Sequence, residues 1–309
     1  MILCVGVAAD PTFVHGIRAL ARAGARFDVV DLPSLALYGD LHIPLDDLRN
    51  TRIRTGGGGP EISLTEVRGV WARPLNVCAA APDPRSAHRA DGQYQALCRL
   101  LEAVELPVLN PPLREASNAG KVLHCVSLAP VAGWRIPRSC LTNDPGTALA
   151  FVRDCPHGAV FKGASAAKTW ATLFRAEHER LLPRLVRSPT LFQERIAGPD
   201  VRVHAVGGQA FGELIHSREL DYRTARGTNR YTTITVPAGI REGCRRLVAA
   251  TRVPFLGVDF KIEEATGEWF FLEANSMPCY EGYDLRADGA ISRALAQWLT
   301  SKGPGDTTV

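Results

Sequence analysis

Two apolar stretches near the C-terminal end, residues 255–263 and 268–274, constrain this chain more than anything else in it. Each has strand length and apolar neighbours on both sides, so each reads as a buried strand. Yet the first carries Asp259, in GVDFKIE, and the second carries Glu273, in WFFLEANSMP. Burying a carboxylate without a partner is costly, so two of them need a reason. On adjacent antiparallel strands they can stand opposite each other. Asn275, two residues beyond Glu273, shares its face because the strand period is two. Three oxygen ligands on one face suit a hard cation, and magnesium typically takes one or two carboxylates beside phosphate oxygens and water. The alternative is a pair of strand-end acids with capping roles.

The rest of the chain is long enough to support such a site. Its 309 residues suit two or three packed units. A hydrophobic share of 46% with 22% charged residues is an ordinary globular balance. No run of about eighteen apolar residues predicts a membrane span. MILCVGVAAD reads as a first strand rather than a signal peptide, which predicts a cytoplasmic protein. Eight cysteines without a C-x-x-C pair read as small buried hydrophobes in a reducing compartment, and no zinc spacing is present. A net charge of +4 with no lysine-rich run argues against a nucleic-acid partner. Only five of the 36 basic residues are lysines, Lys121, Lys162, Lys168, Lys261 and Lys302, so a lysine inside an apolar element stands out.

Along the first hundred residues strand and helix alternate: strands at 2–8, 27–32 and 69–75 and a helix at 13–23 predict a small parallel sheet with covering helices. The glycine run 56–59 lacks the Gly-Lys-Ser/Thr of a phosphate loop and reads as a turn. Residues 79–89 read as a connection before a helix at 93–104, and the three prolines of 107–113 break regular structure and mark a boundary. Beyond it come a helix carrying Lys121, a helix capped by Asn143-Asp144 that runs to Asp154, and strands at 159–163 and 169–176 flanking the loop 163–168. A helix at 179–186 precedes strands at 190–196, 201–206 and 210–217. Helices at 241–251 and 291–300 bracket the acid-bearing pair.

Lys162, in AVFKG, is either an exposed edge residue or a lysine aimed from a sheet at a glycine-containing flap. With Lys121 it makes a pair of cations able to converge on phosphate. Gln193 and Glu194 end a strand at a hinge where backbone groups can read an adenine edge and an acid can take ribose hydroxyls. Asp200 and Arg202 share one face of the next strand, as a surface ion pair or as part of a site. Glu219, Asp221, Arg223, Arg226 and Arg230 lie in a polar stretch that is either a solvated loop or an arginine-bearing cover that binds oxyanions bidentately.

Taken in order, these pieces resemble the ATP-grasp superfamily, and most of all the RimK-type glutamate ligases and the graspetide (microviridin-type) peptide macrocyclases. VWARPL resembles their Trp-x-Arg-Arg-Pro stretch, with Ala72 standing before the single Arg73. NAGKVLHC and AVFKG resemble the segments of the two nucleotide lysines. FQERI resembles the adenine hinge, which implies Glu194 and Ile196 as backbone contacts. DVRV resembles the strand that places its arginine near the reacting phosphate, and LDYR the Asp-Trp-Arg motif. NSMP after Glu273 is closer to the RimK type.

The resemblance implies an α/β (α+β) ATP-grasp fold. A pre-ATP-grasp parallel domain would occupy 1–108, a central subdomain with a flap 109–190 and a catalytic subdomain 191–303, with a frayed tail at 304–309. The two ATP-grasp subdomains would sandwich ATP. It further implies Arg202 and Arg223 as catalytic residues and Lys121, Lys162, Gln193, Glu194, Ile196 and Asp200 as nucleotide contacts. Asp259, Glu273 and Asn275 are the implied ligands of Mg2+, with Mn2+ as a substitute. The implied reaction is carboxylate activation as an acylphosphate, followed by amine attack and release of ADP and phosphate. The substrate is a peptide, with a leader segment as partner, or an amino acid is added to a small molecule or a protein terminus. Relatives suggest a homo-oligomer. The rival outside catalysis is a nucleotide- or peptide-binding module that has lost turnover.

Overall fold

The computed structural model describes residues 1–78, 81–114, 120–164, 169–225 and 227–302. The loop expected at 163–168, Asn118-Ala119 before Lys121, Arg226 and the tail 304–309 fall wholly or largely outside them. By its contacts the chain divides into two units. Unit 1 is Met1–Ala116, Thr251–Phe255 and Ser276–Val309; unit 2 is Ser117–Ala250 and Leu256–Asn275.

Unit 1 holds strands β1 (Ile2–Gly6), β2 (Phe27–Asp31), β3 (Asp40–His42), β4 (Arg52–Arg54), β5 (Glu61–Ser63), β6 (Gly69–Ala72) and β7 (Val108–Leu109). Four of them form a parallel sheet in the order β2-β1-β6-β7. All five residues of β1 are buried, as the apolar run ILCVG requires. The helix Pro11–Arg22 starts where its sequence says it should: Asp10 accepts from the Thr12 amide and proline fills the first turn. Gly16 in its interior lets the Trp71 indole of β6 lie against the helix, since a Cβ there would sit 2.7 Å from the ring. Strands β3, β4 and β5 make a small antiparallel sheet, and the glycine run turns between β4 and β5 with Gly57 and Gly58 at positive φ.

Three local expectations change. The connection at 79–89 is partly helix, because Asp83-Pro84 caps and opens a helix that runs Pro84–Ala103. The proline-rich stretch 107–113 holds β7, whose two residues pair with β6 between the prolines. The final helix extends over Ala290–Ser301 and, with Glu281–Arg286, returns to unit 1.

Unit 2 holds β8 (Ser139–Thr142), β9 (Ala159–Gly163), β10 (Thr172–Leu173), β11 (Thr190–Glu194), β12 (Asp200–Val206), β13 (Gln209–His216), β14 (Arg230–Ile234), β15 (Phe255–Ile262) and β16 (Trp269–Asn275). An antiparallel sheet runs β10-β9-β11-β8, and a five-stranded sheet runs β14-β13-β12-β15-β16. The boundary expected at 190 falls inside β11, whose backbone is bonded to both β8 and β9. The helix expected at 179–186 splits into Ala176–Glu179 and a 3-10 turn at Leu182–Arg187, where Pro183 interrupts it. Helical backbone runs from Lys121 to Ala132 with a π-helical turn at His124–Leu128. It is packed through His124 and Trp134 onto Phe271, and through Trp134 onto Phe260 as well.

Candidate active site

The acid-bearing strands β15 and β16 pair antiparallel with Asp259 opposite Glu273 and Asn275 opposite Gly257. The register slips between Asp259 and Phe260, because Phe260 faces Phe271 and leaves Leu272 as an extra residue on β16. That bulge sorts the side chains. Phe271 packs with Phe260 and Trp134, while Glu273 and Asn275 share the polar side with Asp259. The Asn275 amide lies 3.4 Å from Asp259 Oδ2 and 3.5 Å from Glu273 Oε1.

Four cations converge on these two acids from four different elements. Arg202, buried on β12, donates from Nη1 to Asp259 Oδ2 at 2.8 Å. Lys121, at the start of its helix, donates from Nζ to Glu273 Oε2. Arg223, in a 3-10 turn at Tyr222–Thr224, lies 3.7 Å from Glu273 Oε1. Lys162 comes from β9 and shares the cleft with Glu273. Arg223 is itself held on three sides. Asp221 takes its Nε and Nη2 at 2.8 and 2.7 Å, and the guanidinium carbon lies 5.4 Å from the centre of the Trp170 ring.

The electrostatics follow from that crowding. Burial pushes the Glu273 carboxyl up, but Lys121, Lys162 and Arg223 together overcome it and hold it well below the usual carboxylate range. Burial raises Asp259, and the nearby Glu273 charge adds to the rise against the pull of Arg202. Burial and the neighbouring Lys121 lower Lys162. The hydrogen bond to Asp221 raises Arg223. With Asp221 counted, four cations stand against three acids, which leaves one positive charge in excess and suits an anionic ligand.

The same residues fit a divalent cation. Asp259 Oδ1 is buried and has no hydrogen-bond partner among the described residues. A bare carboxylate oxygen beside a second carboxylate is what a hard cation completes. The Asn275 amide donates toward both acids, and turning it over would present its oxygen instead. No group of three His, Cys, Asp or Glu side chains suited to a metal occurs among the described residues, so the protein's oxygens here are those of two carboxylates and, if turned over, the asparagine amide.

From the acids a cleft of about 700 Å³, open to solvent, leads to the end of β11. Gln193, Glu194, Ile196 and Asp200 all line it. Gln193 is buried and its amide donates to Ser139 Oγ at 3.0 Å, which makes the side chain a strut of the sheet. The Glu194 amide donates to the Arg138 carbonyl. Asp200 is buried, and burial pushes its carboxyl up to about 6 although Lys261 Nζ lies 3.0 Å away. Every nucleotide and metal residue expected from the sequence except Lys121 and Asn275 thus lines one cleft, and those two bond to Glu273, which does. Of the two arginines, Arg223 lines the cleft and Arg202 is bonded to Asp259 beneath it. Sequence reasoning named Lys261 and Asp221 without giving either a place in the site, and passed over Trp170. Lys261 was visible: it stands two residues after Asp259, hence on the same strand face. Trp170 carried no signal, because its partner Arg223 is 53 residues away.

No protein-family model matches the sequence, and no curated protein matches it. Solved structures do. The macrocyclase MdnC from Microcystis aeruginosa MRC, bound with precursor peptide MdnA, superposes with a TM-score of 0.81 at 19% identity, over 97% of this chain and 99% of that one. The ATP-grasp ligase PsnB, complexed with a phosphomimetic variant of its minimal precursor, Mg and ADP, gives 0.80 at 21% identity, over 97% of each chain. A RimK-domain ATP-grasp protein from Sphaerobacter thermophilus DSM 20745 gives 0.57 at 13% identity, over 96% of this chain and 99% of that one. The chain has the ATP-grasp fold.

Proposed function

We propose that this chain is an ATP-dependent carboxylate–amine ligase that acts on a peptide, activating a side-chain carboxylate as an acylphosphate and releasing ADP and phosphate. One observation carries the reading. Asp259, buried and with a bare oxygen, and the half-buried Glu273 line a cleft, and Lys121, Lys162, Arg202 and Arg223 converge on them. Such a set is unsatisfied until a polyphosphate and a cation fill it.

Asp259, Glu273 and Asn275 are the residues that would hold magnesium, which when bound neutralises charge on the phosphates. Lys121 and Lys162 bind phosphate oxygens, so Lys121 leaves Glu273 when nucleotide enters. Arg223 keeps its fork fixed by Asp221 and covered by Trp170, ready to orient the acylphosphate. Arg202 bonds to Asp259 from beneath, favouring its charged form against the opposing effect of burial, and adds positive charge where the transferred phosphoryl group develops negative charge. Glu194 and Ile196 offer backbone groups to the adenine edge, with Gln193 fixing the strand behind them, and Asp200 takes ribose hydroxyls. In this reading the residues before β12 form the flap-bearing half of the nucleotide site and β12–β16 the metal-bearing half.

The peptide substrate, with a leader segment as partner, is supported by the closer fold likeness to MdnC and PsnB, whose structures hold precursor peptides. The run Asn275-Ser276-Met277-Pro278 favours the second reading, addition of an amino acid to a small molecule or a protein terminus. All eight cysteines are unpaired, which fits a reducing compartment such as the cytoplasm. Among the described residues no helix is long and apolar enough to cross a membrane.

The test is nucleotide analysis after incubating the protein with magnesium-ATP and either candidate precursor peptides or single amino acids. ADP and phosphate that appear only with a peptide support the first reading. Turnover with free amino acids alone supports the second, and AMP with pyrophosphate excludes the acylphosphate route.

A further inference from the structure

Lys261 is the one cleft lysine that the reading above leaves without a task. It stands on β15 two residues beyond Asp259, about 6.6 Å along the strand on the same face. On β12 Asp200 stands the same two residues from Arg202, which is bonded to Asp259. Lys261 and Asp200 therefore meet at one strand step from the metal and phosphate end, on the side toward the hinge. In the nucleotide reading, with phosphates at Asp259 and adenine at Glu194, the sugar lies between those ends, beside this pair.

The contacts of Lys261 are those of a clamp. Its Nζ donates to Asp200 Oδ2 at 3.0 Å and to the Gly198 carbonyl at 3.1 Å. On either side the Ala197 carbonyl accepts from the Glu264 amide at 2.8 Å and the Pro199 carbonyl from the Ile262 amide at 3.1 Å. Three consecutive hinge carbonyls are thus taken by β15 and the residues just after it, and the middle one is taken by a side chain. Gly198 makes this approach possible. Its φ is +141°, and a Cβ there would lie 2.0 Å from the Ile262 carbonyl oxygen.

We infer that Lys261 is a positioning residue for sugar recognition: by gripping the Gly198 carbonyl and one oxygen of Asp200 together, it fixes the Asp200 carboxylate as an acceptor for a nucleotide hydroxyl and so sets the preference for ribose over deoxyribose. The inference rests on the nucleotide reading of the cleft. A salt bridge that merely held the hinge would affect all nucleotides alike. One that orients an acceptor acts only where the sugar has a hydroxyl to donate.

Calorimetric titration of the full chain with magnesium-ADP and magnesium-2′-deoxy-ADP separates the two. The wild type binds ADP roughly tenfold or more tightly than the deoxy form, the worth of a hydrogen bond to a charged acceptor. In Lys261→Met that ratio falls below about threefold, and Lys261→Arg restores most of it. Should Lys261→Met not fold, Lys261→Gln carries the same test. An unchanged ratio in the uncharged variant, or an equal loss for both nucleotides, overturns the inference. A wild type that binds both nucleotides equally also overturns it and leaves the nucleotide reading standing. A wild type that binds neither overturns that reading itself.

Discussion

Buried charge is handled in opposite ways in the two units. In unit 1 Arg73 donates to Asp10 at 2.7 Å and to the Pro278 carbonyl at 3.2 Å, and Asp10 also caps the helix Pro11–Arg22. Asp284 there takes the Ser292 amide and hydroxyl and lies 2.7 Å from His15 Nε2. Each acid has its donors, and the network is closed. In unit 2 an oxygen of Asp259 is bare, four cations crowd Asp259, Glu273 and Asp221, and Lys162 makes no ion pair within 4 Å among the described residues. The closed network stabilises the fold. The open one is an incomplete polar cluster, and incompleteness at a cleft is what a ligand corrects.

If that contrast is right, breaking the two networks gives different symptoms. The largest effect is expected from Glu273→Gln, which should cut turnover by about a thousandfold or more, because the electrostatic preorganisation of the phosphoryl site goes with it. Retained ATP-dependent product formation would remove the metal assignment. Arg73→Gln, in unit 1, should instead lower the unfolding free energy by about 2 kcal/mol, since the half-buried Asp10 then loses its cation. Denaturant titration reads it directly, and a loss under about 1 kcal/mol would mean the network is less closed than it looks.

Ligand addition sharpens the same comparison. Magnesium-ADP at a hundred times its dissociation constant should stabilise the protein by about 2.7 kcal/mol, and chelation of the metal should abolish most of the gain. Lys162→Met should go the other way from Arg73→Gln in the nucleotide-free protein. Removing a cation crowded by Lys121 and depressed by burial should raise stability by about 1 kcal/mol while weakening nucleotide binding. A melting temperature that drops in this variant would show that Lys162 has a structural partner.

The smallest effect is a pH dependence. Burial raises Asp200 from its ordinary value to about 6, so between the two values the folded state binds a proton that the unfolded state lacks. Its contribution is fully present below the ordinary carboxylate range and is lost as pH rises through about 6. The nucleotide-free protein should therefore gain about 1 kcal/mol between pH 7 and pH 5 from this group, and Asp200→Asn should flatten that rise. The depressed Glu273 opposes it only at lower pH, where its stabilisation fades as pH falls from about 4.5 toward its lowered value.

Much of the site was legible because its acids interrupt apolar strands. Asp259 and Glu273 stood out against GVDFKIE and WFFLEAN, and the two-residue period carried Asn275 onto the same face. Lys162 and Arg202 were legible for the same reason, as charges inside strand-forming runs. Polar surroundings hid the rest. Strand β14 went unread, with two central threonines exposed on a sheet edge, and so did β3, β4 and β5, whose residues are half exposed and flanked by turns. A short strand with one wet face gives little periodic signal.

The sequence by itself determined which residues must be buried with charge and where the helices begin, because burial patterns and caps are local properties of side chains along the chain. Asp144 opened its helix where the sequence placed the cap, and Asp10 and Asp83 are local caps of the same kind that the reading of 13–23 and 79–89 missed. Only the tertiary structure decided who meets whom. It placed Leu272 as the bulge that turns Glu273 toward the cleft, put Trp170 on Arg223, and joined Lys261 to a hinge carbonyl 63 residues earlier. Those are meetings between distant segments, set by strand register and by the packing of whole elements, and no local periodicity encodes them.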